Sequence, residues 1–183
     1  MLQITATITL PDYRSASYYG MFLRTRRAWL AAIAVLAVSA GYCLAASFGV
    51  VPASPLPIYL GAAYCIWMLL CLGGTERQVL RYVRAEGNLL DVPIAYTFSD
   101  TVCTVEIESR GETQRFDPAE IVCVYEPSRV FMIYMNAEQL FLLPKSGMTD
   151  RQIGELRAFF ARRLKDRFSS RFFAKSTVGL RLR

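Results

Sequence analysis

The sequence predicts an α+β membrane protein: a transmembrane helical hairpin joined to a small β-barrel, closed by a C-terminal amphipathic helix, with the N-terminal strand joining the sheet. Three observations carry this. No charged residue occurs from Ala28 to Thr75 in a chain of 183 residues. Arginines bound that stretch on both sides. Beyond it, short alternating segments run to residue 144 and give way to an apolar stripe of helical period.

The first segment, residues 1–27, holds a strand and a lead-in helix. Leu2, Ile4, Ala6, Ile8 and Leu10 alternate with Gln3, Thr5, Thr7 and Thr9, the period of a half-buried strand. A lone strand at a chain end needs a sheet to join. The only sheet lies past the apolar stretch, so the hairpin reads as an insertion after the first strand.

Residues 28–74 form the hairpin. Ala28 to Val51 is uncharged and rich in Ala, Val, Leu and Ile, long enough at ~1.5 Å per residue to cross a ~30 Å hydrocarbon core. Pro52, Pro55 and Pro57 are expected to break the helix. A second span covers 56–74. A cleaved signal peptide would carry its apolar core nearer the N-terminus. A buried soluble hairpin would show a polar face, and neither span has one. Arg24, Arg26 and Arg27 precede the first span, and Arg77, Arg81 and Arg84 follow the second. The positive-inside rule then places both termini in the cytoplasm. Ala37, Gly41 and Ala45, and Gly61 with Cys65, recur every four residues. Such small faces let helices approach closely, either within the hairpin or between copies in a homo-oligomer.

Residues 75–92 continue the second helix out of the membrane, with Arg77, Arg81 and Arg84 on one face toward anionic lipid headgroups. Residues 93–165 are the cytoplasmic module. Strands are expected at 94–98, 101–108, 112–116, 121–126, 129–135 and 139–143. A capping box of Thr149 and Gln152 then opens a helix whose Ile153, Leu156, Phe159, Phe160 and Leu164 form one apolar stripe. Seven strands closed by one helix is the plan of pleckstrin-homology-like (PH-like) domains. Residues 166–183 are a basic tail in which arginines alternate with Phe168, Phe172, Phe173 and Leu180, suited to an interfacial segment or a solvated tail.

Tyr96-Thr97-Phe98-Ser99-Asp100, Ile121-Val122-Cys123-Val124-Tyr125-Glu126, Leu142-Leu143-Pro144-Lys145 and the helix start at Thr149-Asp150 together resemble the YcxB-like family of bacterial membrane proteins. That resemblance implies a short N-terminal strand, two membrane helices and a C-terminal PH-like domain in a bacterial inner membrane. It implies no reaction and transfers no catalytic residue.

Charge is segregated: residues 85–150 hold 4 basic and 11 acidic groups, residues 151–183 hold 10 basic and 2 acidic. The candidate ligand surface is Arg110, Arg115, Arg129 and Lys145, near strand ends. Glu106, Glu108 and Glu112 alternate outward as a solvated sheet face, with a divalent-cation site as the rival reading. The chain has no histidine, which excludes imidazole-dependent hydrolysis and His-ligated zinc. Five cysteines form no CxxC pair. Phosphate-loop, dinucleotide and nucleophile-elbow motifs are missing too. The expected function is therefore a non-catalytic membrane-anchored binding or scaffolding module, without a cofactor or metal. Its partners are the lipid bilayer and an unknown protein rather than nucleic acid. The rival is an accessory or oligomeric subunit of a transporter or channel.

Overall fold

The computed structural model describes residues 2–24, 26–52, 54–136 and 139–170. The tail from residue 171, including Phe172, Phe173 and Leu180, lies outside them. Eight strands and four α-helices follow in order: β1 (Leu2–Thr7), α1 (Leu10–Arg24), α2 (Arg26–Ser47), α3 (Leu56–Arg84), β2 (Pro93–Phe98), β3 (Cys103–Ile107), β4 (Glu112–Phe116), β5 (Cys123–Glu126), β6 (Val130–Tyr134), β7 (Leu140–Pro144), α4 (Asp150–Leu164) and β8 (Phe168–Ser170). Residues 1–16 and 85–183 form one compact unit, residues 17–84 another.

In the first unit, β1 joins the sheet as its alternation requires. It pairs antiparallel with β2 from Leu2 opposite Phe98 to Thr7 opposite Pro93. The sheet order is β1-β2-β3-β4. Ile4 and Ala6 face the core, as do Ile94, Tyr96 and Phe98 of β2. Gln3 and Thr5 face outward.

The expected closed barrel is not found among the described residues: the strands divide into two separate four-stranded sheets. The break falls between β4 and β5. Asp117 accepts from the Ala119 N–H and opens a 3₁₀ turn at Pro118–Glu120. Pro118 has no N–H to continue a ladder, so the chain leaves the first sheet there. The second sheet runs β7-β6-β5-β8. Its last strand was not foreseen. After a 3₁₀ turn at Lys165–Arg167, Phe168–Ser170 pairs parallel with β5.

The two sheets and α4 share one core. Phe160 is fully buried and meets Phe98, Phe131, Phe159 and Phe168 at 5.6–5.9 Å between ring centres. Tyr96 donates its buried hydroxyl to the Leu142 carbonyl, 2.7 Å away, and so ties one sheet to the other. The Thr149/Gln152 capping box is complete.

In the second unit, α2 and α3 are long and apolar enough to cross a membrane. The first ends at Ser47, earlier than the prolines suggest. Gly49 takes φ +71°, with Gly49 N–H bonded to Ala46 and Val50 N–H to Ala45, a glycine cap that satisfies the last carbonyls. The second apolar stretch and the arginine-bearing stretch that follows it are one continuous helix, α3. At ~1.5 Å per residue its 29 residues reach well past a ~30 Å core.

The contact within the hairpin does not use the Ala37–Gly41–Ala45 face. Trp29, Ala32 and Ser39 of α2 are buried, whereas Ala37, Gly41 and Cys65 are exposed and Ala45 is half-buried. Of the proposed packing residues Gly61 is the buried one: a Cβ there would lie 3.5 Å from the Ser39 Cβ and 3.9 Å from Leu36. Trp29 lies between Phe22 and Trp67 in tilted ring contacts, at 4.8 and 5.7 Å between ring centres. Large aromatic side chains at one end of the helix pair and Gly61 against Ser39 further along together set the face on which α2 meets α3.

Two outcomes follow. Phe160→Ala should lower the stability of the full chain in detergent by about 3–5 kcal/mol in chemical denaturation. Gly61→Leu should disrupt the hairpin, read as loss of the Trp29–Trp67 fluorescence environment, while Gly41→Leu leaves it unchanged.

Candidate functional site

Of the four cations marked as a ligand surface, the fold brings Arg129 and Lys145 together at one end of the second sheet. The β5–β6 turn carries Arg129, and Lys145 follows β7. The Lys145 N–H donates to the Arg129 carbonyl at 2.8 Å. Their side chains are engaged by buried carboxylates.

Glu126 ends an otherwise apolar strand and is 1% exposed. Its Oε1 accepts from Lys145 Nζ at 2.8 Å and from Arg157 Nε and Nη2 at 2.8 and 2.6 Å. Lys145 also donates to the Pro127 carbonyl and stands 4.9 Å over the Phe131 ring. Burial by itself would push the Glu126 carboxyl up. The hydrogen bonds and charges of Arg157 and Lys145 outweigh it and hold the group below its ordinary range. Glu126 Oε2 is buried with no hydrogen-bond partner among the described residues.

A second buried carboxylate engages Arg129. Asp12, 1% exposed, follows Pro11 in the first turn of α1. Its Oδ2 accepts from the Thr9 hydroxyl at 2.6 Å and the Thr9 N–H at 3.3 Å, a capping arrangement for α1. Its Oδ1 accepts from Arg129 Nε at 3.0 Å.

The other two cations lie apart. Arg110, in the β3–β4 turn, donates from Nη2 to the carbonyls of Gly87 and Asn88 at 2.6 and 3.2 Å. Arg115 is exposed on β4. The four cations therefore do not form one free basic surface. Sequence reasoning missed Asp12, Glu126 and Arg157. The available signal was a lone carboxylate at the end of an apolar strand, Glu126 before Pro127.

Glu106, Glu108 and Glu112 are exposed. Among the described residues no group of three or more His, Cys, Asp or Glu is placed to hold a metal ion. Burial pushes the Cys103 thiol up to about 11, and Cys123 is raised for the same reason. Both are protonated at neutral pH, which suits small core residues rather than nucleophiles.

The basic flanks of the hairpin differ from the module's cations. Arg26, Arg27, Arg77, Arg81 and Arg84 are exposed and make no ion pair or hydrogen bond among the described residues. Arg24 ends α1, and its side chain is not described. Glu76, the one acidic group beside Arg77, accepts from the Tyr18 hydroxyl at 3.0 Å.

No family model, curated protein or solved structure matches the chain.

Glu126→Gln should cost about 3 kcal/mol of stability, because it leaves Lys145 without its buried counter-ion. The sign with pH is set by the lowered carboxyl. Its contribution is complete above the ordinary glutamate value of 4.5 and is lost as pH falls through the lower folded-state value. Unfolding followed against pH should therefore show a shallower acid limb in Glu126→Gln than in the wild type.

Proposed function

We propose that the chain is a non-catalytic integral membrane protein that presents a PH-like binding and scaffolding module at the cytoplasmic face of a bacterial inner membrane, in the manner of the YcxB-like family. The observation that carries this reading is the surface of α2 and α3. Val38 is 72% exposed and Leu70 69%, on helices whose apolar stretches carry no charge. Water would penalise that surface heavily, at roughly 25 cal/mol per Å²; acyl chains would not.

Two independent arguments support one side for both ends. The first is the exposed arginines at 26, 27, 77, 81 and 84, which have no ion-pair partner among the described residues and suit lipid phosphates. The second is parity. Residues 1–16 and 85–183 belong to one compact unit, so an inserted segment that crosses the bilayer must cross an even number of times. Two crossings satisfy this; one does not.

The module's own partner would be a protein, held at sheet edges or loops, since Arg129 and Lys145 are already paired with buried carboxylates. A second reading, an accessory subunit of a transporter or channel, draws on the open face at Gly41, where nothing lies within 4 Å of a built Cβ. Disulfide crosslinking from Gly41→Cys in native membranes separates the two readings: a crosslinked copy or partner favours the second.

Topology is the direct test. A reporter fused after Arg183 should be active only in the cytoplasm, and a cysteine at Ser54 should label only from the opposite side. A periplasmic C-terminus would end the proposal, as would a chain that stays dissolved without detergent. Changing Arg77, Arg81 and Arg84 together to Gln should reduce the preference for anionic over zwitterionic vesicles by about 3 kcal/mol, roughly 100-fold in partition, at ~1 kcal/mol per arginine.

A further inference from the structure

The insertion leaves the module at Ile8–Asp12 and returns at Gly87–Asp91, and these two segments touch. Ile8 bridges to Leu90, and the Asp91 N–H donates to the Ile8 carbonyl at 2.9 Å. This neck adjoins the weakest end of the β1–β2 ladder. Thr7 is paired with Pro93, which has no N–H to give. β1 is also an edge strand with one ladder neighbour. A displacement of α1 would therefore begin to peel β1 at this end.

Two arginines hold the neck, one on each segment. Arg129, from the β5–β6 turn, donates to buried Asp12, which itself caps α1 through Thr9. Arg110, from the β3–β4 turn, donates to the Gly87 and Asn88 carbonyls. The returning segment needs unusual backbone to be held so: Gly87 takes φ +90° and Asp91 φ +59°, conformations with a steric cost for a residue carrying a side chain. The Asn88 side chain accepts from the Leu90 N–H at 3.1 Å and tightens the same turn.

We propose that Arg110 and Arg129 are positioning clamps that keep β1 and the returning segment seated, so that the module retains its edge strand where the insertion leaves and re-enters it. A two-residue link joins β1 to α1, and eight residues separate α3 from β2. Slack in the longer return is taken up by the Arg110 clamp; the short exit is fixed by Arg129 on the helix start. The sequence marked both residues as ligand-binding because each sits at a turn, and the turn position is what lets each reach the neck.

Hydrogen–deuterium exchange on the full chain in detergent or nanodiscs tests this. Arg110→Ala and Arg129→Ala should each accelerate exchange by about tenfold or more in β1 and residues 88–91, leaving β5–β7 and α4 unchanged. Arg115→Ala, which removes an exposed cation of the same sheet, should change neither. The proposal is overturned if β1 stays as protected as in the wild type in both variants, or if acceleration spreads evenly through the module. It is overturned equally if Arg115→Ala loosens β1, or if β1 is unprotected in the wild type.

Discussion

The pairing of β1 with β2 is the constraint on which the rest depends. Six residues at the start of the chain find partners that lie more than 85 positions later, from Leu2 with Phe98 to Thr7 with Pro93. Such a contact closes a long loop, but loop-closure entropy grows only slowly with length. The loop is also far from slack, since α2 and α3 pack against each other through Trp29, Trp67 and Gly61. Once β1 is seated, Ile4 and Ala6 are buried, and the two ends of the insertion lie in one compact unit.

Two buried carboxylates complete the module at the far end of the second sheet. Glu126 draws α4, through Arg157, and the end of β7, through Lys145, onto the end of β5. Asp12 joins the head of α1 to the β5–β6 turn through Arg129. A buried charge is costly unless paired and hydrogen-bonded. Each of these is both, so neither could be removed singly without stranding its cations. Arg129 and Arg157 are about half exposed, so their strength comes from the dry carboxylate end of each pair rather than from an isolated surface contact.

Periodicity made most of the fold legible. The alternation at residues 2–10 foretold both the strand and its need for a distant sheet, and the Thr149/Gln152 box and the Phe159–Phe160 stripe gave α4. What periodicity could not give was closure. The division into two sheets turns on Asp117–Pro118, where a capping side chain and a missing N–H end one ladder. β8 was hidden because three residues after a helix are too few for a pattern. The face on which α2 meets α3 was not legible, since residues 28–51 are apolar all round and small size at Ala37, Gly41 and Ala45 was the only cue, one that left packing within the hairpin and packing between copies both open. That cue says where helices could approach, not which of several faces does. The internal partners of Arg110, Arg129 and Lys145 were hidden on a different ground. A basic residue at a turn is equally placed for solvent or for a nearby backbone carbonyl, and one sequence does not say which it finds.

The outcome for the arginines orders the chain's charge. Those of the module and its helix are largely spent internally: Arg110 on carbonyls, Arg129 and Arg157 on buried carboxylates, Arg162 and Arg163 on Asp100, Arg167 on the Ile121 carbonyl. Arg26, Arg27, Arg77, Arg81 and Arg84, beside the apolar helices, make no ion pair or hydrogen bond among the described residues. On α3, Thr75 and Val79 are buried while Arg77, Arg81 and Arg84 are exposed; at about 100° per residue these three fall within a narrow arc on the opposite side of the helix. The neighbouring anion, Glu76, is engaged by Tyr18. A solvent-exposed helix would gain by pairing such cations at i, i+4 with acids, as Arg151 and Glu155 do on α4. Among the described residues Arg77, Arg81 and Arg84 form no such pair on α3, so their charges lie open along one face of the helix.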